Sequence, residues 1–481
     1  MKYSNNNINK RKSPRIKQSL IFFFTVILLS NINFINSTIY LPFKTRTKYL
    51  STDKFFSQYL STNFEMGTPP QYIEGEIDFQ EMDFHLSYTR HYINFFYNKS
   101  LSKTYFNTTN YHISTNNFIS GCRANETFYF YNTEKLREKN EYKNIPFFMS
   151  TATDQKFGAV LAFAISYKGL RNFVYSLKYG KAINSYTWTL QFNDLNNGLL
   201  IIGDEPHMYN ETFYDGNKLK YTKIYNDKNL LSNWCFELNK IKIGNDSVNL
   251  NINNKNNVLL NVIRPELEGL IAPWEYYISL KNIFFGKYLE NNICKEISFL
   301  EKNISNNDFY NSEKIEFYKI ECIKDKFGVN DIKNLPLIQF ENIPINYSFI
   351  FSGDDLFLQE TDNKYIFQIY FANVSYWYIG RLFLYKYQLI FNEDNKLIGF
   401  YTGKKENNIS KMNIAFKICL IIFIFLFCLF LSFVFYKKLK MTLLKKTKKN
   451  ARELEEDFSY KKSDSDDDDA NNDNLLFNKN E

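Results

Sequence analysis

Between residue 38 and about residue 411 the chain alternates short apolar and polar runs broken by Asn, Gly and Pro. Trp188-Thr189-Leu190-Gln191-Phe192 and Gly198-Leu199-Leu200-Ile201-Ile202-Gly203 are representative. Alternation at a period of two puts every second side chain on one face of a pleated strand, so the pattern predicts a mainly β domain. Long stretches with helical spacing are scarce there, and no repeat of solenoid period is visible. Two segments depart from the pattern. Near the N-terminus, Lys10, Arg11, Lys12, Arg15 and Lys17 precede an apolar run over 20–29 and then Ser30, Asn36 and Ser37. That is the layout of a secretory signal peptide over 1–37, with a signal anchor as the alternative. Near the C-terminus, residues 418–436 are uncharged throughout and are followed by Lys437, Lys438, Lys440, Lys445, Lys446, Lys448 and Lys449. Length and flanking charge predict a transmembrane helix over 414–436 with a cytoplasmic tail over 437–481, basic and then acidic. The expected topology is single-pass type I, in the secretory pathway, an endolysosomal membrane or the cell surface.

Composition changes this picture little. The chain of 481 residues is long enough for one large two-lobed domain or two ordinary ones. Its net charge of +8 comes from lysines spread along the chain and clustered at both ends, without the footprint of a nucleic-acid binder. Of the six cysteines, Cys419 and Cys428 fall in the apolar C-terminal segment. Cys122, Cys235, Cys294 and Cys322 remain in what would be an oxidising compartment, and the residues alone leave their pairing open. Sequons at Asn98, Asn107, Asn125, Asn210, Asn245, Asn303, Asn346 and Asn373 predict a glycoprotein. The four histidines, His85, His91, His112 and His207, show no metal-ligand spacing. There is neither a Gly-x-Ser-x-Gly elbow nor a phosphate loop, so serine-dependent or metal-dependent hydrolysis is not expected, nor any cofactor.

One stretch carries recognisable chemistry. A Gly67-Thr68-Pro69-Pro70-Gln71 turn leads through apolar Ile73 and Ile77 to a single carboxylate, Asp78. This resembles the first active-site strand of the pepsin-like aspartic proteases, where the aspartate opens an Asp-Thr-Gly-Ser/Thr loop. Here Phe79, Gln80 and Glu81 follow instead. Further stretches are similar to the family in order: Lys156-Phe157-Gly158-Ala159-Val160-Leu161-Ala162, Gly198 to Asp204, Leu335-Pro336-Leu337-Ile338-Gln339-Phe340, and Trp377-Tyr378-Ile379-Gly380-Arg381-Leu382-Phe383-Leu384. The resemblance implies an all-β, bilobal fold. It assigns 38–62 to a short N-terminal or prosegment-like region, 63–190 to the first lobe, 191–403 to the second and 404–413 to a linker. It also implies a Cys294–Cys322 disulfide, Ser114 at the flap position, and a cleft between the lobes for a peptide or protein ligand.

Aspartic proteolysis needs two carboxylates sharing one proton, one acting as base on a water and the other as acid on the peptide carbonyl. Aligning Leu270-Ile271-Ala272-Pro273 on the family pattern puts Arg264-Pro265-Glu266-Leu267-Glu268 where the second Asp-Thr-Gly loop belongs. Three readings follow. Asp78 and Arg264 are leftovers without a joint role; or they face each other as an ion pair replacing the dyad; or Glu266 or Glu268 serves as a fallback second carboxylate. The residues favour a peptide-binding homologue that has lost cleavage. An active endopeptidase with an atypical dyad is the alternative, and a glycosylated adhesion or scaffold ectodomain a further one.

Overall fold

A computed structural model describes residues 38–47, 58–87, 97–109, 112–113, 120–150, 158–166, 171–210, 214–225, 233–244, 246–247, 259–302, 314–361, 363–402 and 409–461. The expected signal peptide, and the flap residue Ser114, lie outside the described residues. The chain divides into two compact units, 1–405 and 406–481. The first is mostly β, as the alternation predicts.

Six antiparallel strands form the base of this unit: Leu219–Lys223, Leu397–Tyr401, Leu389–Asn392, Thr187–Asp194, Asn197–Ile202 and Ile39–Thr47, in that order. Strands from both ends of the unit meet here, so this sheet is common to the two halves. Thr187–Asp194 crosses the boundary expected at 190. Residues 38–62, expected as a prosegment-like region, contribute Ile39–Thr47 and the start of Gln58–Met66, which pair as neighbours inside the same sheet. Their alternate apolar side chains, Ile39, Leu41, Phe43 and Leu60, are buried, which makes them part of the core.

Each half then repeats one strand pattern. In the first, Gln71–Asp78 runs parallel to Ala159–Ala162, which pairs antiparallel with His85–Ser87, which runs parallel to Lys139–Ser150. In the second, Leu259–Ile263 runs parallel to Trp377–Ile379, which pairs antiparallel with Leu270–Pro273, which runs parallel to Ile369–Ala372. Gly380 is needed at this crossing, because a Cβ there would lie 2.1 Å from the Gly269 carbonyl oxygen and 2.5 Å from that of Leu267.

Between the halves, the apolar faces converge on an aromatic cluster. Trp188 stacks on Phe391 at 4.0 Å, with Phe163 4.6 Å, Phe79 5.0 Å and Trp234 5.7 Å from the Trp188 ring. Ring pairs of this kind add about 0.5–1.5 kcal/mol each beyond the area they bury. Trp234 also donates its indole N–H to the Phe163 carbonyl at 2.6 Å, satisfying a donor that burial would otherwise leave stranded.

Cys294 and Cys322 face each other across the hairpin of Cys294–Lys302 and Lys314–Ile323 and form a disulfide. Cys122, half-buried, and Cys235, buried, lie outside this disulfide.

The C-terminal unit corrects the membrane expectation. The 414–436 segment is part of one helix, Ile409–Lys461, 53 residues long. Among the described residues no helix is long and apolar enough to cross a membrane, so the single-pass type I anchoring expected from the apolar run does not stand. Physically, that run does not stand alone as a segment: the same helix continues without a break through the lysines from Lys437 to Lys449, and begins at Ile409 inside the expected linker. Of the expected tail, 462–481 lies outside the described residues.

Candidate functional site

The two crossings place two loops in matching positions. Ile77 pairs with Leu161 and His85 with Val160; Ile263 pairs with Ile379 and Ile271 with Tyr378. In this register Asp78 corresponds to Arg264, Phe79 to Pro265, Gln80 to Glu266 and Glu81 to Leu267. Ala162 corresponds to Gly380, and Phe163 to Arg381.

In the first loop, the Asp78 carboxylate folds the chain back on itself. Its Oδ1 accepts the backbone N–H of Gln80 at 2.7 Å and of Glu81 at 3.0 Å, while its carbonyl accepts from Phe163 N at 2.7 Å. Phe79 is turned the other way, buried at 3% exposure in the aromatic cluster. Glu81 is half-buried at its surface, but its carboxyl is crowded by protein. Burial, and then the Asp78 charge, push it up to about 8, so it carries a proton at neutral pH. Behind it, buried Asp83 accepts both guanidinium nitrogens of Arg123 at 2.8 Å, and its carbonyl meets Nδ1 of buried His85 at 2.9 Å. Burial lowers the affinity of His85 for a proton.

The second loop is built around cations. Arg264 is buried, its N–H donating to the Ile379 carbonyl at 2.8 Å. Its guanidinium pairs with the Glu266 carboxylate and lies 6.0 Å from the centre of the Tyr378 ring. Glu266 Oε1 also accepts from Gln80 Nε2 at 3.1 Å. A continuous polar chain therefore runs from Asp78 through Gln80 and Glu266 to Arg264, joining the two halves through the positions that correspond to each other. Glu268 is half-buried, and its carbonyl accepts from Leu382 N at 2.9 Å.

Arg381 supports the second loop from behind. It is fully buried, donating Nη1 to the carbonyl of Glu266 at 3.0 Å and, more weakly, to that of Pro265 at 3.4 Å. Its other nitrogen, Nη2, donates to Gln58 Oε1 in the first half. Burial lowers its hold on its proton, and the Glu268 and Glu266 carboxylates oppose that.

Among solved structures the chain is similar to basic 7S globulin from soybean, with 14% identity, a TM-score of 0.52, and 77% of this chain and 95% of that one covered. The fold is the pepsin-like one. At this identity the likeness shows the fold alone. No protein-family model matches the chain, and no curated protein does.

Within the pepsin-like fold, the site residues named from sequence fall together at the junction: Asp78 and Arg264 at corresponding places, Glu266 between them in the polar chain, Glu268 in the same loop. Three contributors escaped that reading. Gln80 and Arg381 act through partners remote in sequence, and Glu81 acts through its environment. A carboxylate three residues after Asp78 was the available signal for Glu81, and an arginine straight after Gly380 was the signal for Arg381. Among the described residues no group of His, Cys, Asp or Glu has an arrangement able to hold a metal ion.

Proposed function

We propose that the protein binds peptide at the junction of its two halves and does not cleave it. The observation that carries this reading is the strand register, which gives Asp78 a guanidinium, Arg264, as its counterpart. A carboxylate dyad works because like charges side by side hold one proton between them. A cation in one of the two places favours an ionised partner and removes the shared proton. Glu266, the nearest candidate to replace the missing carboxylate, accepts hydrogen bonds from Gln80 and Arg264 on one oxygen. That engagement opposes service as a general acid. The hydroxyl-bearing positions of the family's loops hold Phe79 and Pro265, and Phe79 is committed to the aromatic cluster.

The test is incubation of the full chain with a peptide library between mildly acidic and neutral pH, beside Asp78→Ala. Peptide retained without turnover is the expected result. Turnover at acidic pH that disappears in Asp78→Ala would overturn the reading and turn attention to Glu266 and Glu268.

A further inference from the structure

Far from the junction, one long strand keeps an open edge. Cys294–Lys302 is nine residues long and pairs with Lys314–Ile323 at every position, from Cys294 with Cys322 to Lys302 with Lys314. Among the described residues no strand pairs with its other side. Such an edge presents a row of N–H and C=O groups that can pair with another chain. Lys295, Glu296, Ser298 and Leu300 are exposed, with Ile297 and Phe299 half-buried between them. We infer that a second copy of this chain occupies the edge, the two Cys294–Lys302 strands pairing antiparallel about a two-fold axis at Ser298. This stands independently of the peptide-binding reading.

Geometry limits the register. Outward-pointing backbone groups belong to every second residue, so in a two-fold pair each residue meets one of its own parity and the axis passes at a residue. An axis at Ser298 uses the whole strand. It sets Lys295 opposite Glu301 of the second copy, Ile297 opposite Phe299, and Glu296 opposite Leu300, each twice. Opposite charges and apolar pairs directly across are the favourable combinations, and no like charges meet. An axis at Phe299 would leave one strand end unpaired, set Ile297 against Glu301, and bring Lys302 to Glu296, which Lys281 already holds at 2.6 Å. The charges within one copy point the same way. Glu321 is shared by three lysines, Lys319 at 2.7 Å, Lys364 at 3.3 Å and Lys295 at 3.8 Å, so cations outnumber carboxylates at that end of the strand. Lys295 is the most distant of the three and the most exposed, at 59%. At the other end, the residue in register with Glu301 is Ile315, not a cation. A surplus of positive charge at one end and a carboxylate without a cross-strand cation at the other complement each other when two such strands run antiparallel.

The experiment is sedimentation equilibrium of the full chain beside two charge reversals, Lys295→Glu and Glu301→Lys. The wild-type chain should dimerise. Either variant alone sets like charges against each other at both ends of the strand pair and should raise the dissociation constant about tenfold or more. Mixing the two variants restores an opposite-charge pair at each end, so a mixed dimer should form with about wild-type affinity. That recovery also shows that both variants are folded. Hydrogen exchange read by mass spectrometry localises the contact, whatever association occurs elsewhere on the chain. Amides of 294–302 should exchange more slowly at high than at low protein concentration in the wild type and in the mixture, and at a rate independent of concentration in either variant alone. A monomeric wild type, variants that associate as the wild type does, a mixture no better than its components, or exchange at 294–302 that ignores concentration in the wild type overturns the inference.

Discussion

Asp78 in the first half and Arg264 in the second stand at the same step of the same strand pattern. One is a half-exposed carboxylate held by two backbone N–H groups of its own loop, the other a buried guanidinium paired with Glu266. The difference extends behind the loops. Phe163 backs the first with an aromatic ring in the cluster between the halves, and Arg381 backs the second with hydrogen bonds to its carbonyls. A fold that needs two loops in register can therefore set one by apolar packing and the other by a buried cation. The register constrains the backbone and leaves the chemistry of each loop free to diverge.

The sharpest way to break this comparison is to remove each support in turn. Phe163→Ala should cost about 3–5 kcal/mol through lost burial and the cavity left behind. Arg381→Ala should cost about the same, because the loop carbonyls and Gln58 lose their donor and two carboxylates lose a nearby cation. Arg381→Leu separates the causes. It restores volume without donors, so it should remain about as unstable as Arg381→Ala in urea unfolding. Full rescue by leucine would mean that Arg381 is only a space-filler.

A smaller effect tests the crossing itself. Ala162 sits in the first half at the place of Gly380 in the second. Gly380→Ala would drive a Cβ to 2.1 Å from a backbone oxygen, where backbone must move, at about 1–3 kcal/mol. Ala162→Gly should cost about 1 kcal/mol or less, mainly through backbone entropy. Equal costs in thermal unfolding would show that the two crossings are alike in spacing after all.

The sequence carried most of the fold. Alternating runs announce strands, and the stretch from Trp377 to Leu384 keeps the spacing of a crossing strand. The place of Asp78 and the pairing of Cys294 with Cys322 followed from resemblance. What could not be read were contacts made only by folding. Gln80 meets Glu266 across 186 residues, and Arg381 reaches Gln58 across 323. Periodicity reports the face a residue takes, not the residue opposite. Glu81 was illegible for another reason: a carboxyl near pH 8 differs from an ordinary one only in its surroundings. The apolar C-terminal run misled because the lysines from Lys437 to Lys449 were read as the flank that ends it, whereas one helix runs through both without a break.

The same loop predicts how stability changes with pH. Glu81 is raised above its unfolded value, so the folded state binds more protons than the unfolded one in the window between an ordinary glutamate and about 8. Its contribution is full at the acidic end and is lost as pH rises through about 8. His85 is lowered, so its contribution is present above the ordinary histidine range and is lost as pH falls below it. Unfolding free energy measured in urea against pH should therefore fall on the alkaline side because of Glu81 and on the acidic side because of His85. Glu81→Gln should flatten the alkaline fall by about 1–2 kcal/mol, a figure reduced for its partial exposure. A curve unchanged by that substitution would show that Glu81 is solvated like any surface glutamate.

A similarly small effect is expected at the centre of the polar chain. Gln80→Ala removes one side-chain hydrogen bond across the two halves, and a neutral donor to a half-exposed carboxylate contributes about 1 kcal/mol. A single stability loss is the less informative readout here. Gln80 Nε2 shares Glu266 Oε1 with Arg264, so its loss leaves the carboxylate to the guanidinium alone, while the backbone N–H of residue 80 still binds Asp78. If the link merely fills space left by an absent glycine, Gln80→Gly should match Gln80→Ala apart from backbone entropy, and the losses of Gln80→Ala and Glu266→Ala should add in the double variant. If the link couples the halves, the double variant should depart from additivity by about 0.5 kcal/mol or more in urea unfolding. Additive losses would reduce the polar chain to two separate loops that happen to touch.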